Sequence, residues 1–130
     1  MLVIDAGIAL RASAAINGFN ELGGEQLVAP PLMWSEARSV LHELAWRREV
    51  EAADAIATRD RLDRCPVERR EHAQLAWAAW RLADELGWAQ TYDAEYVALA
   101  FLLGCRLLTL DSRLHRGAAR LGFVISPAEL

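Results

Sequence analysis

Residues 93–111 read DAEYVALAFLLGCRLLTLD, and this stretch decides the fold. From Asp93 to Leu103 nearly every side chain is apolar, and Gly104 follows, which predicts a buried helix ended by a glycine cap. Leu107 to Leu110 predicts a buried strand with Asp111 directly after it, and Ser112 to Arg120 predicts the next helix. Short apolar strands alternating with helices imply a parallel sheet covered on both faces. In such sheets, ligands bind outside the carboxyl ends of the strands, where Asp111 is placed. If that strand rises to the edge, the helix before it descends from the edge. Asp93 then starts close to Asp111, provided the loop Gly87 to Tyr92 brings the chain back up.

The same alternation runs outward in both directions. Leu2-Val3-Ile4 predicts a strand that ends at Asp5, and Ile8 to Ile16 a small helix closed by Asn17-Gly18. Leu27-Val28-Ala29 predicts a second strand. Pro30-Pro31 opens a helix with Met33, Ala37, Val40, Leu41 and Leu44 on one face at a 3.6-residue period. Glu36 lies in its early turns, near the same edge. Glu51 to Arg64 predicts a helix ended by Cys65-Pro66, and Val67 lies in a short strand candidate. His72 to Leu86 predicts a helix closed by Gly87, and Phe123-Val124-Ile125 a last strand. No repeat, linker or low-complexity segment interrupts the pattern. The expectation is one α/β domain over residues 1–130, with about five short parallel strands flanked by helices.

Bulk properties narrow the function. A chain of 130 residues can bury roughly two-thirds of its unfolded surface. The net charge of −4 argues against a protein that coats nucleic acid, but not against a nuclease. All 14 basic residues are arginines. The absence of lysine disfavours a phosphoacceptor receiver, a haloacid-dehalogenase-type phosphatase and a phosphate-cradling P-loop, all of which use one. Cys65 and Cys105 fit no metal-ligand spacing and read as buried thiols of a reducing compartment. The N-terminus lacks a basic region ahead of its apolar run, and the longest apolar stretch, Tyr96 to Leu103, is far short of a bilayer span. A cytoplasmic protein with no membrane association is expected.

Asp5, Glu36, Asp93 and Asp111 are therefore the candidate site. Two like charges about 4 Å apart cost roughly 4 kcal/mol at an effective dielectric near 20, so four need a compensating cation. An all-oxygen donor set suits Mg²⁺ or Mn²⁺ over Zn²⁺, and such an ion can activate water and stabilise a leaving oxygen. The competing explanation is local: Asp is a favoured N-cap, and Glu36 could be a solvated rim residue. His42, His72 and His115 read as surface residues. Asp93 and Glu95 on an otherwise apolar helix are harder to explain as solvation alone.

These residues resemble the motifs of the PIN-domain family, and specifically of its VapC-type ribonuclease toxins. The segment from Met1 to Ala6 is similar to the family's opening strand and first acid, and Trp34-Ser35-Glu36-Ala37 to its second. Tyr92 to Ala100 is similar to its third motif, and Leu108 to Leu114 to its fourth. Gly7 departs from the pattern, which often has a Ser or Thr there. The resemblance implies a three-layer sandwich with a five-stranded parallel sheet and a Mg²⁺- or Mn²⁺-dependent endoribonuclease. Asp5 and Asp93 would be the main metal ligands, and Glu36 and Asp111 would complete the site. Thr109 would orient Asp111. Arg113 and Arg116, with Arg120 on the same helix, would contact RNA phosphates. The alternative is a catalytically degenerate PIN module that only binds RNA or a protein; it would be expected to have lost one or more of the acids.

Trp34, Trp46, Trp77 and Trp80 fall outside the apolar stripes of their helices and are candidates for a binding surface. The resemblance implies a cognate antitoxin whose C-terminal segment covers such a groove and blocks the acids. Homodimer formation is also implied.

Overall fold

The computed structural model describes residues 1–130. Its core is five short parallel strands, Leu2–Ile4 (β1), Leu27–Ala29 (β2), Val67–Arg69 (β3), Arg106–Leu108 (β4) and Val124–Ile125 (β5), in the spatial order β3-β2-β1-β4-β5. Every neighbouring pair is parallel. All three residues of β1 are buried because β1 is the middle strand, covered on both faces. This explains its uninterrupted apolar run.

Six helices connect the strands: Ala6–Ser13 (α1), Leu32–Trp46 (α2), Ala52–Asp63 (α3), Leu75–Leu86 (α4), Tyr92–Leu103 (α5) and Ser112–Ala118 (α6). Helices α1, α2 and α3 pack against one another, while α4 pairs with α5, which also rests on β1 and β4. From β1 the chain steps outward through β2 to β3, then returns across the sheet through α4 and α5 to β4. The order therefore reverses between β1 and β4. That reversal is the switch point at which an open parallel sheet leaves a crevice for ligands.

Two of the three glycines expected to end helices do so, whereas Gly18 lies beyond α1, which is capped at Ala14. Gly87 and Gly104 cap α4 and α5 in the left-handed conformation, with φ of 73° and 66°, which costs a residue without Cβ little. Each lets the chain turn sharply, and the loop after Gly87 lifts it to the start of α5 at the carboxyl edge.

Several boundaries differ from the sequence reading. Helix α1 begins at Ala6 and ends at Ser13, leaving Ile16 outside it and exposed. Strand β4 covers Arg106–Leu108 and has already ended at Thr109 and Leu110. On α2 the buried face is Met33, Trp34, Ala37 and Leu41, whereas Val40 is 45% exposed. Trp34 is thus a core residue, with the Arg69 guanidinium stacked over its ring at 4.6 Å. Trp46, Trp77 and Trp80 do stand exposed. Cys65 and Cys105 are only half-buried free thiols, and burial raises the pKa of both. No helix is long and apolar enough to cross a membrane.

Candidate active site

Residue Asp5 follows β1 and is the N-cap of α1. Its Oδ1 accepts a hydrogen bond from the Ile8 N–H at 3.0 Å. Ile4 pairs with Leu108 in the sheet, so the next residues on the two strands, Asp5 and Thr109, meet across the switch point. The Thr109 hydroxyl donates to Asp5 Oδ2 and accepts from the Asp111 N–H at 2.9 Å. Thr109 is thus shared by two of the predicted acids and is held by both, since it is almost wholly buried. Its own N–H donates to the Ile125 carbonyl at 3.0 Å, which ties this bridge to β5. Thr109 was expected to orient Asp111, and its bond to Asp5 is an addition that strand register explains.

Asp111 caps α6: its Oδ1 accepts from the N–H groups of Arg113 at 2.8 Å and Leu114 at 3.2 Å. Asp93 departs from the sequence reading. The helix begins one residue earlier, its N-cap is Thr91, and no capping bond involves the Asp93 side chain. The local explanation for Asp93 therefore fails, and its carboxylate is left free near the helix N-terminus.

Glu36 comes from the first turns of α2 and is held by a residue the sequence reading did not place in the site. The Tyr96 hydroxyl donates a hydrogen bond to Glu36 Oε1. Tyr96 is 1% exposed and stands three residues after Asp93, hence on the same face of α5. That spacing was the available signal. Inside an apolar run, a tyrosine is more readily taken as core.

The electrostatics confirm that the acids share one neighbourhood. Burial pushes the Asp5 carboxyl up to about 6, and the charges of Asp93 and Asp111 add to the shift, against the hydrogen bonds from Thr109 and Ile8. Asp93 is raised by burial and by Asp111, and Arg113 partly offsets this. Glu36 is raised by burial and by Asp93, against the Tyr96 hydrogen bond. Glu95 is raised by burial and by Glu36, but it lines a different hollow with Pro31 and His72. Arg113 is the one cation that registers in this group. The acids share an edge without forming a closed cage: no three His, Cys, Asp or Glu side chains converge closely enough to enclose an ion as they stand.

Two clefts open on this edge. One, of about 350 Å³, is lined by Asp5, Ala6, Gly7, Glu36, Ser39, Val40, Asp93 and Tyr96. The other, of about 530 Å³, runs between the Gly87–Tyr92 loop and α6 and includes Glu36, Asp93 and Arg113. Arg116 is exposed on α6 without lining either cleft. Arg120 is engaged elsewhere, donating to the Glu85 carbonyl at the end of α4 at 2.7 Å. His115 pairs with Glu129 at 3.0 Å, away from the acids.

A doubly wound parallel sheet with acids from the N-caps of α1 and α6 and from the first turns of α2 and α5 at its switch point defines an α/β protein with an acidic site. The chain belongs to the PIN-domain family, whose model matches residues 2–120. It is 36% identical over 129 residues to the VapC ribonuclease Mb0985 of Mycobacterium bovis and to ribonuclease VapC9 of Mycobacterium tuberculosis, spanning 98% of this chain and 99% of each relative. Its fold resembles that of PAE2754 from Pyrobaculum aerophilum (TM-score 0.78, 23% identity, 98% of this chain and 90% of that one). It also resembles a chain of a toxin–antitoxin complex from Klebsiella pneumoniae (TM-score 0.67, 18% identity, 98% of both chains). At these identities, the two structural likenesses concern the fold.

Proposed function

We propose that this chain, acting as a single PIN-like domain, is a divalent-metal-dependent endoribonuclease and the toxin of a toxin–antitoxin pair. One observation carries the reading: Asp5, Glu36, Asp93 and Asp111 come from separate elements to the same edge, where Asp93 and Asp111 push up the Asp5 carboxyl, Asp93 pushes up that of Glu36, and Arg113 partly offsets the shift at Asp93. Relatives that match over nearly the whole chain are named ribonucleases, and all four motif acids are present here, which disfavours a degenerate binding module.

The donor chemistry fits a hard cation, since the group is all oxygen with neither His nor Cys among it. Asp5, Asp93, Asp111 and Glu36 would hold Mg²⁺ or Mn²⁺; when bound, the ion supplies water activation and stabilisation of the leaving oxygen. The remaining work falls to the chain's own groups. Thr109 holds the Asp5 carboxylate and the backbone of Asp111 in fixed relation, and Tyr96 holds Glu36 towards Asp93. Arg113 supplies positive charge beside Asp93 for an RNA phosphate. Arg116, one helical turn further on, would extend that contact, whereas Arg120 is already bound to the chain.

The antitoxin would seat in the apolar groove of about 440 Å³ between α2 and α3, lined by Leu41, Ala45, Ala52, Ala55 and Ile56 with Arg38 and Arg59 on its rim. An amphipathic segment with acidic residues would match it. Self-association would use the exposed tryptophans, and the setting would be the cytoplasm, where the RNA substrate lies.

The test is cleavage of a pool of structured RNAs by the purified chain with Mg²⁺ or EDTA, alongside Asp5→Asn and Asp93→Asn. Cleavage only by the wild type with metal is expected. Cleavage that persists in EDTA, or in both variants, would overturn the metal mechanism. A wild type free of antitoxin that cleaves nothing would favour the binding module.

A further inference from the structure

Glu36 and Asp93 line both clefts at the carboxyl edge, so the two hollows meet at the acids. A polynucleotide crossing that junction would place the reacting phosphate at the acids and one flanking nucleotide in each cleft. The two clefts differ in what they offer a base. The smaller is walled beyond the acids by Ala6, Gly7, Ser39, Val40 and Tyr96; Tyr96 is 1% exposed with its hydroxyl spent on Glu36, so it offers no open face to stack on. The larger is walled by Trp88, Gln90, Tyr92 and Arg113.

We propose that this larger cleft is a nucleobase subsite that gives cleavage its base preference on one side of the scissile bond. The inference rests on the ribonuclease reading for the identity of the strand. Tyr92 is 57% exposed and follows directly from the loop that forms one wall, so its ring is available to stack on a base. Stacking on an aromatic face is tolerant of sequence. Gln90, exposed on the same loop, carries both a donor and an acceptor and can discriminate base edges. Arg113, on α6 across the cleft and near enough to Asp93 to offset its charge, would meet the adjoining phosphate.

The loop is built to hold its shape. Trp88 donates its backbone N–H to the Ala83 carbonyl at 2.9 Å. Its ring packs so closely on α6 that a Cβ at Gly117 would lie 3.1 Å from it. A binding wall anchored at Trp88 through both its backbone and its ring loses little freedom when a base arrives.

The experiment uses the full chain and a fluorescently labelled pool of random single-stranded RNA heptamers. Binding is measured by anisotropy in EDTA, and cleavage ends are sequenced with Mg²⁺ or Mn²⁺ present. Tyr92→Ala should weaken binding about tenfold, the range for one stacked base, and Tyr92→Phe should restore most of it. Gln90→Ala should flatten the base preference on one side of the cut and leave the other side as it was. Wild-type binding and preference in both alanine variants would overturn the subsite while leaving the nuclease reading intact. A wild type that binds the pool through Tyr92 yet cleaves nothing would support the subsite and overturn the nuclease. A wild type that binds no RNA would overturn the subsite.

Discussion

Replacing Asp5 by asparagine is expected to abolish cleavage and to make the protein more stable at neutral pH. Asp5 is 6% exposed, and burial is the main reason its carboxyl stands at about 6 in place of 3.8. A carboxyl whose folded pKa lies above its unfolded value binds protons more tightly in the folded state. It therefore withdraws stability as pH rises from the unfolded pKa through the folded one, and the loss is complete above it. At about 1.4 kcal/mol per pH unit, the loss is roughly 3 kcal/mol at pH 7.5 and roughly 0.5 kcal/mol at pH 4. Asparagine keeps an oxygen for the Ile8 N–H and carries no charge. Its amide must instead face the Thr109 hydroxyl, which has a second lone pair to receive it. With that bond imperfect, a gain of about 1–2 kcal/mol should survive at pH 7.5 and fade towards pH 4. Urea unfolding of both proteins in EDTA at the two pH values measures it. A variant less stable than the wild type at pH 7.5, or a gain that does not shrink in acid, would refute the reasoning.

Further outcomes follow from the same contacts. Thr109→Val removes the hydroxyl that holds Asp5 down; a hydrogen bond to a charged group is worth ~1.5–3 kcal/mol. The acid limb of the pH–rate profile should therefore move alkaline by about one unit or more, and an unmoved limb would show that Asp5 does not set it. Tyr96→Phe deprives Glu36 of its donor, so stability should fall by about 1 kcal/mol and cleavage should slow. Unchanged urea midpoints and rates would remove Tyr96 from the site. Gly117→Ala gains about 1 kcal/mol of helix propensity but forces the Trp88 ring away from a 3.1 Å contact. The unfolding midpoint should stay close to wild type while indole emission shifts and base preference broadens; an unshifted spectrum would mean that the loop does not depend on this packing.

Residues where the chain changes state were the most legible. Asp5 directly follows the apolar run Leu2–Ile4, Asp111 stands just past the largely apolar run Leu107–Leu110, and both cap helices, so two local signals agreed at each. Asp93 was reached through topology, because a helix preceding a rising strand must start at the edge. What escaped the sequence depended on dimensions and partners. A strand of three residues spans about 10 Å, whereas α2, with 15 residues, spans about 22 Å. The helix overruns the sheet, so Leu44 is only partly buried, while Val40 is exposed because the buried face runs through Met33, Trp34, Ala37 and Leu41 and leaves Val40 off it. Trp34, off that stripe by periodicity, is buried because β3 supplies Arg69 as a lid. The Tyr96–Glu36 bond joins residues 60 apart in sequence, and no local pattern announces such a pair. Arg120 belonged to a plausible cationic row until the end of α4 provided it with a carbonyl.

The division of labour among the acids follows from what else each carboxylate does. Asp5 has both oxygens in hydrogen bonds and Asp111 has one oxygen in two. These bonds fix Asp5 where β1 ends and Asp111 at the start of α6, and they leave one lone pair on each Asp5 oxygen and both on Asp111 Oδ2 with which to ligate. Asp93 has no capping bond, and Glu36 is held only through Tyr96 at the end of a longer side chain. Two acids are therefore set by the sheet, and two can adjust. A rigid pair alone would specify a position but could not close around an ion, and a mobile pair alone would be driven apart by its own charge. The absence of a closed cage fits this arrangement, because closing four acids without a cation would press together like charges that already push up the carboxyls of Asp5, Glu36 and Asp93. Asp93 and Glu36 are accordingly the side chains that should move on metal binding. They are also the two shared by both clefts, so the same movement would bear on how the RNA strand is gripped.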